Sequence, residues 1–219
     1  SGSSAKLTLG NSDTLVIDAA GYLVVGSNGG TSVIDASASG AALQLSGTLA
    51  IGDTIITTNG VEAPQLSEVV GQLTIDTSSA FTVNPNSIVK VGVTFGGSND
   101  ALIVTGTTGV LRLEGGLLSV ASGFSSNTSA ALITATSILG SFDTIDGLVF
   151  FDTNGDRTVA DVVQTATGIT LTPVSNASGV LAEGDGTGSV FDFGDSANAN
   201  FTHYLALSGD DLVKGVDSG

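Results

Sequence analysis

The chain has 219 residues, of which 41% are hydrophobic and only 5% aromatic, and it contains no Cys, Met or Trp. Because cysteine is absent, disulfide bridges, thiolate metal sites and thiol nucleophiles are excluded. With 21 acidic against 5 basic residues the net charge is −16, which argues strongly against binding to nucleic acid or to an anionic membrane surface.

Short strands are predicted along most of the chain. Runs of three to six apolar or alternating residues recur about every 8–12 positions, and most are bounded by Gly, Asn or Ser. The clearest runs are 7–9, 14–18, 22–25, 32–35, 43–45, 72–76, 88–93, 101–105, 110–114 and 117–120. We therefore predict an all-β fold whose core is built from Val, Ile, Leu and Ala.

A loose internal repeat suggests how these strands are arranged. Residues 15–26 are echoed by 33–45 and more faintly by 73–83, each as strand, short polar turn and strand. This order is typical of a parallel β-helix, or β-solenoid, in which each coil buries its apolar face by stacking on the next. An antiparallel β-sandwich also has short strands at this spacing and remains the alternative.

Helix is predicted to be scarce, and the character of the chain changes near its C-terminal part. Only 63–70 and 159–165 have room for a turn or two of helix between coils. Polar, linker-like tracts follow Pro173. We expect a solenoid-like domain over 1–174 and a Gly/Asp-rich extension over 175–219 that includes a terminal strand.

One loop has the residue types of a calcium site. Its candidate ligands alternate along the sequence and then continue to a later carboxylate: Asp152, Asn154, Asp156, Thr158 through its carbonyl, and Asp161. The pattern is similar to dockerin-like and EF-hand-like loops, because Ca²⁺ prefers hard oxygen ligands at positions one, three and five. However, Arg157 replaces the usual sixth-position Gly, and the last carboxylate is at position ten, where twelve is expected. The alternative is an Asx-rich turn. The acidic turns 191–195 and 208–211 are weaker candidates.

The sequence contains few patterns typical of catalytic sites, and we expect the protein not to be an enzyme. His203 is the single histidine, it lies in an alternating, strand-like run, and no Gly-x-Ser-x-Gly nucleophile elbow is present. Asp143 and Asp146 form an acidic pair of the kind that glycosidases use. Proximity in sequence does not place two carboxylates across a glycosidic bond, and this acidic surface would repel an acidic sugar.

Two segments carry a resemblance to a known group of proteins. Residues 132–145 (LITATSILGSFDTI) and 162–172 (VVQTATGITLT) resemble the closing segment of autotransporter passenger-like and related bacterial surface β-helix repeats. The resemblance covers roughly residues 100–173 and implies an extracellular, cell-surface location with an adhesive or structural role. The chain departs from the pattern by inserting residues 150–161 between the two parts.

Two functions follow as expectations. The first is a structural subunit of a bacterial surface fibre, layer or matrix, which binds copies of itself by strand addition through 5–9 or 201–207. The alternative is a displayed adhesin or carbohydrate-binding module, which needs exposed aromatic side chains for stacking. With two Tyr and nine Phe in the chain, assembly is favoured over sugar recognition.

Overall fold

The computed structural model describes residues 5–26, 29–52, 54–58, 61–65, 70–93, 98–121, 129–151, 157–173, 181–183, 190–192, 194–199, 203–205 and 212–214. Within these ranges every regular element is a strand, apart from one 3-10 turn at Ser196–Asn198. None of the described residues belongs to a helix that is long and apolar enough to cross a membrane.

The strands of the main body follow one another in groups of three, which we call coils. The first coil contains β1 (Ala5–Thr8), β2 (Thr14–Ile17) and β3 (Tyr22–Val25), and the second contains β4 (Thr31–Ala36), β5 (Ala42–Leu45) and β6 (Thr48–Ile51). After the hairpin β7 (Thr54–Thr58) and β8 (Val61–Gln65), the third contains β9 (Gln72–Thr77), β10 (Ala80–Val83) and β11 (Ile88–Gly92). The fourth contains β12 (Ala101–Thr105), β13 (Val110–Glu114) and β14 (Leu117–Ala121), and the fifth β15 (Ala130–Ala135), β16 (Ser137–Ser141) and β17 (Thr144–Asp146).

The coils stack through three parallel sheets, so the predicted β-solenoid is confirmed and the sandwich alternative is wrong. Sheet A runs β1-β4-β9-β12-β15, sheet B runs β2-β5-β10-β13-β16 and sheet C runs β3-β6-β11-β14-β17. Ala5 pairs with Ser32 and Gln72 with Ala101, so equivalent positions in successive coils are 27 and 29 residues apart. The hairpin formed by β7 and β8 lengthens the second coil.

The core runs along the inside of the solenoid. Alternate residues of each strand point inward, as the pleat requires, and stack in register from coil to coil. One such column in sheet B contains Leu43, Phe81, Leu111 and Ile138, all buried. Each fully buried aliphatic or Phe side chain contributes roughly 1.5–3 kcal/mol to folding, so these columns hold the coils together.

An antiparallel cap closes sheet A after the fifth coil. It contains β18 (Val149–Phe151), β19 (Arg157–Gln164) and β20 (Gly168–Pro173), and β20 pairs antiparallel with β15. The segment 159–165, which had room for a turn or two of helix, is not helical, because 159–164 belong to strand β19, hydrogen-bonded between β18 and β20. Pairing on both edges outweighs the weak preference of a segment too short to be a stable helix.

The other segment with room for a turn or two of helix, 63–70, is a strand over part of its length. Residues 63–65 belong to β8, which pairs antiparallel with β7, while 66–69 lie outside the described residues.

The described strands of the C-terminal part pair with one another. β21 (Leu181–Glu183) pairs in parallel with β23 (His203–Leu205), and β22 (Val190–Asp192) with β24 (Leu212–Lys214).

Candidate functional site

The structure describes two of the five predicted calcium ligands and does not bring those two together. Asp152, Asn154 and Asp156 lie outside the described residues, in the connection between β18 and β19. Thr158 and Asp161 lie on β19, where a rise of about 3.3 Å per residue separates their Cα atoms by roughly 10 Å. Among the residues that the structure describes, no group of three or more His, Cys, Asp or Glu is placed to hold a metal ion. The calcium prediction therefore depends on the 152–156 connection.

The weaker acidic turn at 191–195 has a local structural use. Oδ1 of Asp192 accepts a hydrogen bond from the backbone N–H of Gly194 at 2.8 Å, and Oδ2 lies 3.9 Å from Nζ of Lys214. The first contact is that of an Asx-turn. Residues 208–211 lie outside the described part of the chain.

The residues considered for catalysis are not assembled into a site. Asp143 accepts a hydrogen bond at 3.1 Å from the backbone N–H of Gly116, so its carboxylate links the fourth and fifth coils. Asp146 is exposed on β17. His203 lies on β23, opposite Leu181, away in sequence and in strand pairing from both carboxylates. This arrangement brings no acid and base together.

A buried carboxylate that sequence reasoning missed lies at the corner between sheets C and A. Asp100 is only 2% exposed, and its two carboxylate oxygens accept hydrogen bonds from the backbone N–H groups of Gly71 and Gly92, each at 2.6 Å. A Cβ on Gly52, whose φ is +79°, would overlap this carboxylate. Asp100, which precedes the fourth coil, therefore binds the backbone at both ends of the third coil and lies close to Gly52 at the end of the second. In the sequence it resembles any Asn-Asp turn, and only the glycines around it hint at a close approach.

A second carboxylate fastens the first coil to the second. Asp35 forms an ion pair with Lys6 at 2.9 Å and accepts a hydrogen bond from the Ser37 hydroxyl at 2.6 Å. The Ser37 hydroxyl, then Lys6 and the Ser37 backbone N–H, lower the pKa of Asp35 to about 2. The ionised side chain thus holds β1 against β4 at neutral pH.

The most unusual surface is the end of the solenoid formed by β1, β2 and β3, which we call the open end. These strands are the terminal strands of sheets A, B and C, and within the described residues nothing pairs with their outer edges. Leu7 stacks in register on the buried Ile34 yet is 45% exposed, and three further inward-facing positions are only half-buried: Leu15, Leu23 and Val25.

Lys6, Thr8 and Thr14 occupy half of the outward positions of the open end, and two of the other three are strongly exposed apolar residues. Val16 on β2 is 52% exposed and Tyr22 on β3 is 56% exposed. With Leu7 on β1, each strand of the first coil thus carries one large, strongly exposed hydrophobic side chain.

The opposite end of the solenoid is covered over much of its area. The antiparallel strand β20 occupies the edge of β15, and the backbone N–H of Ile138 on β16 donates a hydrogen bond to the Ala166 carbonyl at 2.7 Å. The Gln164 side chain donates to the Gly140 carbonyl at 2.6 Å. Ile138 and Phe142 of the fifth coil are buried. The cap thus covers the edge of sheet A, whereas β16 and β17 are the terminal strands of sheets B and C among the described residues.

Both segments expected to add as strands to a neighbour already have a partner in the chain. β1, from the 5–9 segment, pairs with β4, and β23, from the 201–207 segment, pairs with β21. For β1 the second edge is the one at the open end. Strand addition through this segment therefore means that a strand of another chain pairs with the outer edge of β1, while β1 stays paired with β4.

No protein-family model matches this chain, and no curated protein matches it.

Proposed function

We propose that this protein is a non-enzymatic, extracellular structural protein that assembles with copies of itself as a subunit of a bacterial surface fibre, layer or matrix. The observation that carries the proposal is the open end, where no described strand pairs with the outer edges of β1, β2 and β3 and where Leu7, Val16 and Tyr22 are exposed. Unpaired N–H and C=O groups along an edge strand bind another strand readily, and proteins that remain monomeric usually blunt such edges.

The build of the solenoid suits a structural role. Its coils repeat the same three strand positions, its core consists of stacked columns of mostly aliphatic side chains, and its length grows with each added coil. Two carboxylates of the described residues, Asp100 and Asp143, accept hydrogen bonds from backbone N–H groups of the preceding coil. These features support a scaffold rather than a reaction centre.

The location and the metal belong to the same proposal. The resemblance of 132–145 and 162–172 to bacterial surface β-helix repeats supports a place at the cell surface. Calcium, bound in the 152–156 connection, is proposed as an accessory to assembly, because that connection joins the cap strands β18 and β19.

Negative-stain electron microscopy tests this function, on purified protein with and without millimolar Ca²⁺, alongside light scattering of the same samples. We expect ordered fibres or sheets. Val16→Lys puts a charge on the edge of β2 and should abolish them, whereas Val163→Lys, at a similarly exposed valine on β19 (48% against 52%), should leave them intact. If Asp152→Asn/Asp156→Asn removes any calcium dependence, the 152–156 connection is the metal site.

A persistent monomer in both conditions would contradict self-assembly. It would favour the second candidate, a displayed adhesin or carbohydrate-binding module, for which the exposed ring of Tyr22 is the first place to look for stacking. Titration with cell-surface polysaccharides, followed by tyrosine fluorescence, would then be the next measurement.

A further inference from the structure

We infer that two copies of this chain pair through the hairpin of β7 and β8, with β7 of one copy antiparallel to β7 of the other across a two-fold axis at Ile56. The inference deepens the proposed function and rests on it, because it names a self-contact that does not involve the open end. Three observations carry it: the place of the hairpin on the solenoid, the difference between its two edges, and the match of β7 to itself.

The hairpin is an excursion from one corner of the solenoid. It lies in the connection 52–71 between β6 of sheet C and β9 of sheet A, where the other coils have the shorter connections 26–30, 93–100 and 122–129.

The two ends of this long connection touch each other. A Cβ on Gly71 would lie 2.6 Å from the Cα atom of Gly52, and the Gly71 N–H donates to the buried carboxylate of Asp100. The flanking strands β6 and β9 remain paired with strands of the neighbouring coils. The root of the hairpin is therefore fixed, and the excursion leaves the stacking of the coils intact.

The two strands of the hairpin have different outer edges. Among the described residues β7 and β8 pair only with each other, so each has one free edge. β8 contains Glu62 and Pro64, and charged residues and proline are what proteins use to protect an edge strand from further pairing. β7 (TIITT) has no charge and no proline, and all of its residues are β-branched. One edge is thus protected, whereas the other suits a further strand.

The pairing of the hairpin determines which backbone groups of β7 face outward. In an antiparallel pair, successive residues direct their N–H and C=O groups alternately towards the partner and away from it. Pro64, which has no N–H, pairs with Ile55, so this pair faces away, as does the pair of Thr57 with Glu62. The short connection 59–60 gives the same phase, because the pair that closes a two-residue turn is hydrogen-bonded. The outer edge of β7 therefore offers the N–H and C=O groups of Ile55 and Thr57.

These groups match those of a second copy in one register. With Ile56 opposite Ile56, Ile55 of each copy faces Thr57 of the other, and all the outward N–H and C=O groups of both residues find a partner. A register centred on Ile55 or on Thr57 keeps only one such pair within the strand. Every facing residue is uncharged and β-branched, which favours cross-strand contact. Short segments of this composition pair readily with identical segments, so a second copy is the partner.

Charge does not oppose this contact at short range. In the resulting sheet, ordered β8-β7-β7-β8, the two copies of Glu62 are three strand spacings apart, roughly 14 Å, which exceeds the Debye length of about 8 Å at physiological ionic strength. Asp53 precedes β7 in the sequence, and its counterpart in this register is Asn59, which is uncharged.

The pair is small and closed. It involves one five-residue strand of each copy, and the net charge of −16 acts against it over the rest of the surface, so we expect it to be weak in isolation. A two-fold contact alone ends at a dimer. A fibre or layer therefore needs a second, different contact, which the proposed function places at the open end.

The absence of native cysteine makes a cross-linking test direct. Ile56→Cys should form a covalent dimer under mild oxidation, because the two residues at the axis have Cα atoms about 4.5 Å apart, within the range that a disulfide spans. The control is Ala63→Cys, at the residue of β8 that pairs with Ile56. Its two copies would be roughly 14 Å apart, so it should remain monomeric under the same conditions. Circular dichroism of each variant checks that it is folded.

A second substitution tests the hydrogen bonds of the pair. Ile55→Pro removes an N–H that faces away from β8, as Pro64 does on the other strand, and should abolish the cross-link of Ile56→Cys. Ile55→Val keeps this N–H and should retain the cross-link. Equal dimer formation by Ile56→Cys and Ala63→Cys, or a cross-link unchanged by Ile55→Pro, would overturn the β7 pair.

Val16→Lys separates this inference from the proposed function. Added to Ile56→Cys, it should abolish fibres or sheets in electron microscopy and leave the covalent dimer. Fibres or sheets from a chain whose Ile56→Cys variant forms no cross-link would sink only the β7 pair. A cross-linked dimer from a chain that never forms larger assemblies would sink only the surface-structure role.

Discussion

Asp100 is a buried carboxylate that accepts backbone hydrogen bonds from both ends of the third coil. Because both oxygens are used, Asp100→Asn leaves one acceptor and sets a new N–H group against a backbone N–H. We expect this variant to lose about 1–3 kcal/mol of unfolding free energy, and Asp100→Ala to lose more because two buried donors are then left without their acceptor. Urea denaturation followed by circular dichroism measures both.

The control is a carboxylate of the same type on the surface. Asp146→Asn on β17 changes an exposed side chain and should alter the unfolding free energy by less than about 0.5 kcal/mol. Equal effects at positions 100 and 146 would mean that the corner hydrogen bonds are not a source of stability.

Asp35 gives the first coil a defined pH dependence. Its pKa in the folded chain is about 2, below the ordinary value of about 3.9 for an unfolded chain. A carboxyl with a lowered folded-state pKa stabilises the fold above its unfolded pKa, and this stability is lost as the pH falls from about 4 to about 2. We expect Asp35→Asn to be less stable than wild type at pH 6 and to lose less stability on acidification. The remaining carboxylates titrate in both proteins and cancel in the comparison.

Urea denaturation at a series of pH values between 6 and 2 checks this. Ser37→Ala should show an intermediate pH dependence, since the Ser37 hydroxyl is the largest cause of the lowered pKa. Parallel curves for wild type and Asp35→Asn would show that the contact of Asp35 with Ser37 and Lys6 has no effect on folding.

At the scale of strands, the two ends of the solenoid differ in how fully they bury the same side chain. Leu171 on β20 is completely buried against the fifth coil, whereas the inward-facing Leu7 on β1 is 45% exposed. Leu171→Ala should therefore lower the unfolding free energy by about 2–5 kcal/mol. Leu7→Ala should cost much less in dilute solution, where the chain is monomeric. Urea midpoints at low concentration test the difference, and a cost at Leu7 equal to that at Leu171 would mean that the first coil is covered.

The strands were predictable and their partners were only partly so. A period of two marks a strand wherever one face is buried, so runs such as 43–45 and 101–105 were found at nearly their observed bounds. The echoes at 33–45 and 73–83 do cover equivalent strands, β4-β5 and β9-β10. The segment 15–26 covers β2-β3 instead, one strand out of phase. Because the short strands of the three sheets have similar compositions, the sequence alone does not show which sheet each strand joins.

Other features depend on contacts between distant residues and left little trace in the sequence. The segment of the cap strand β19 was left as a possible turn or two of helix, because the partners on its two edges, β18 and β20, are not visible in the local sequence. The corner role of Asp100 depends on Gly71 and Gly92, which are 29 and 8 residues away. Strand addition through 5–9 was predicted, but the exposure of Leu7 and Tyr22 was not, because it depends on which strand lacks a neighbour.

At the scale of the whole molecule, charge and apolar surface act against each other in assembly. A net charge of −16 would drive copies apart, while the exposed apolar side chains of the open end would favour the proposed contact between them. Raising the ionic strength from 0.01 M to 0.1 M shortens the Debye length from about 30 Å to about 10 Å, which screens the repulsion but leaves apolar contact intact. We therefore expect salt to promote association.

Light scattering at fixed protein concentration over increasing NaCl measures this directly. The average mass should rise with salt for wild type and for Val163→Lys, and should stay monomeric for Val16→Lys. If salt instead dissociates the assemblies, ion pairs hold them together and the apolar open end is not the contact. A mass independent of salt in all three proteins would show that neither the net charge nor the edge of β2 governs association, and assembly through the first coil would have to be given up.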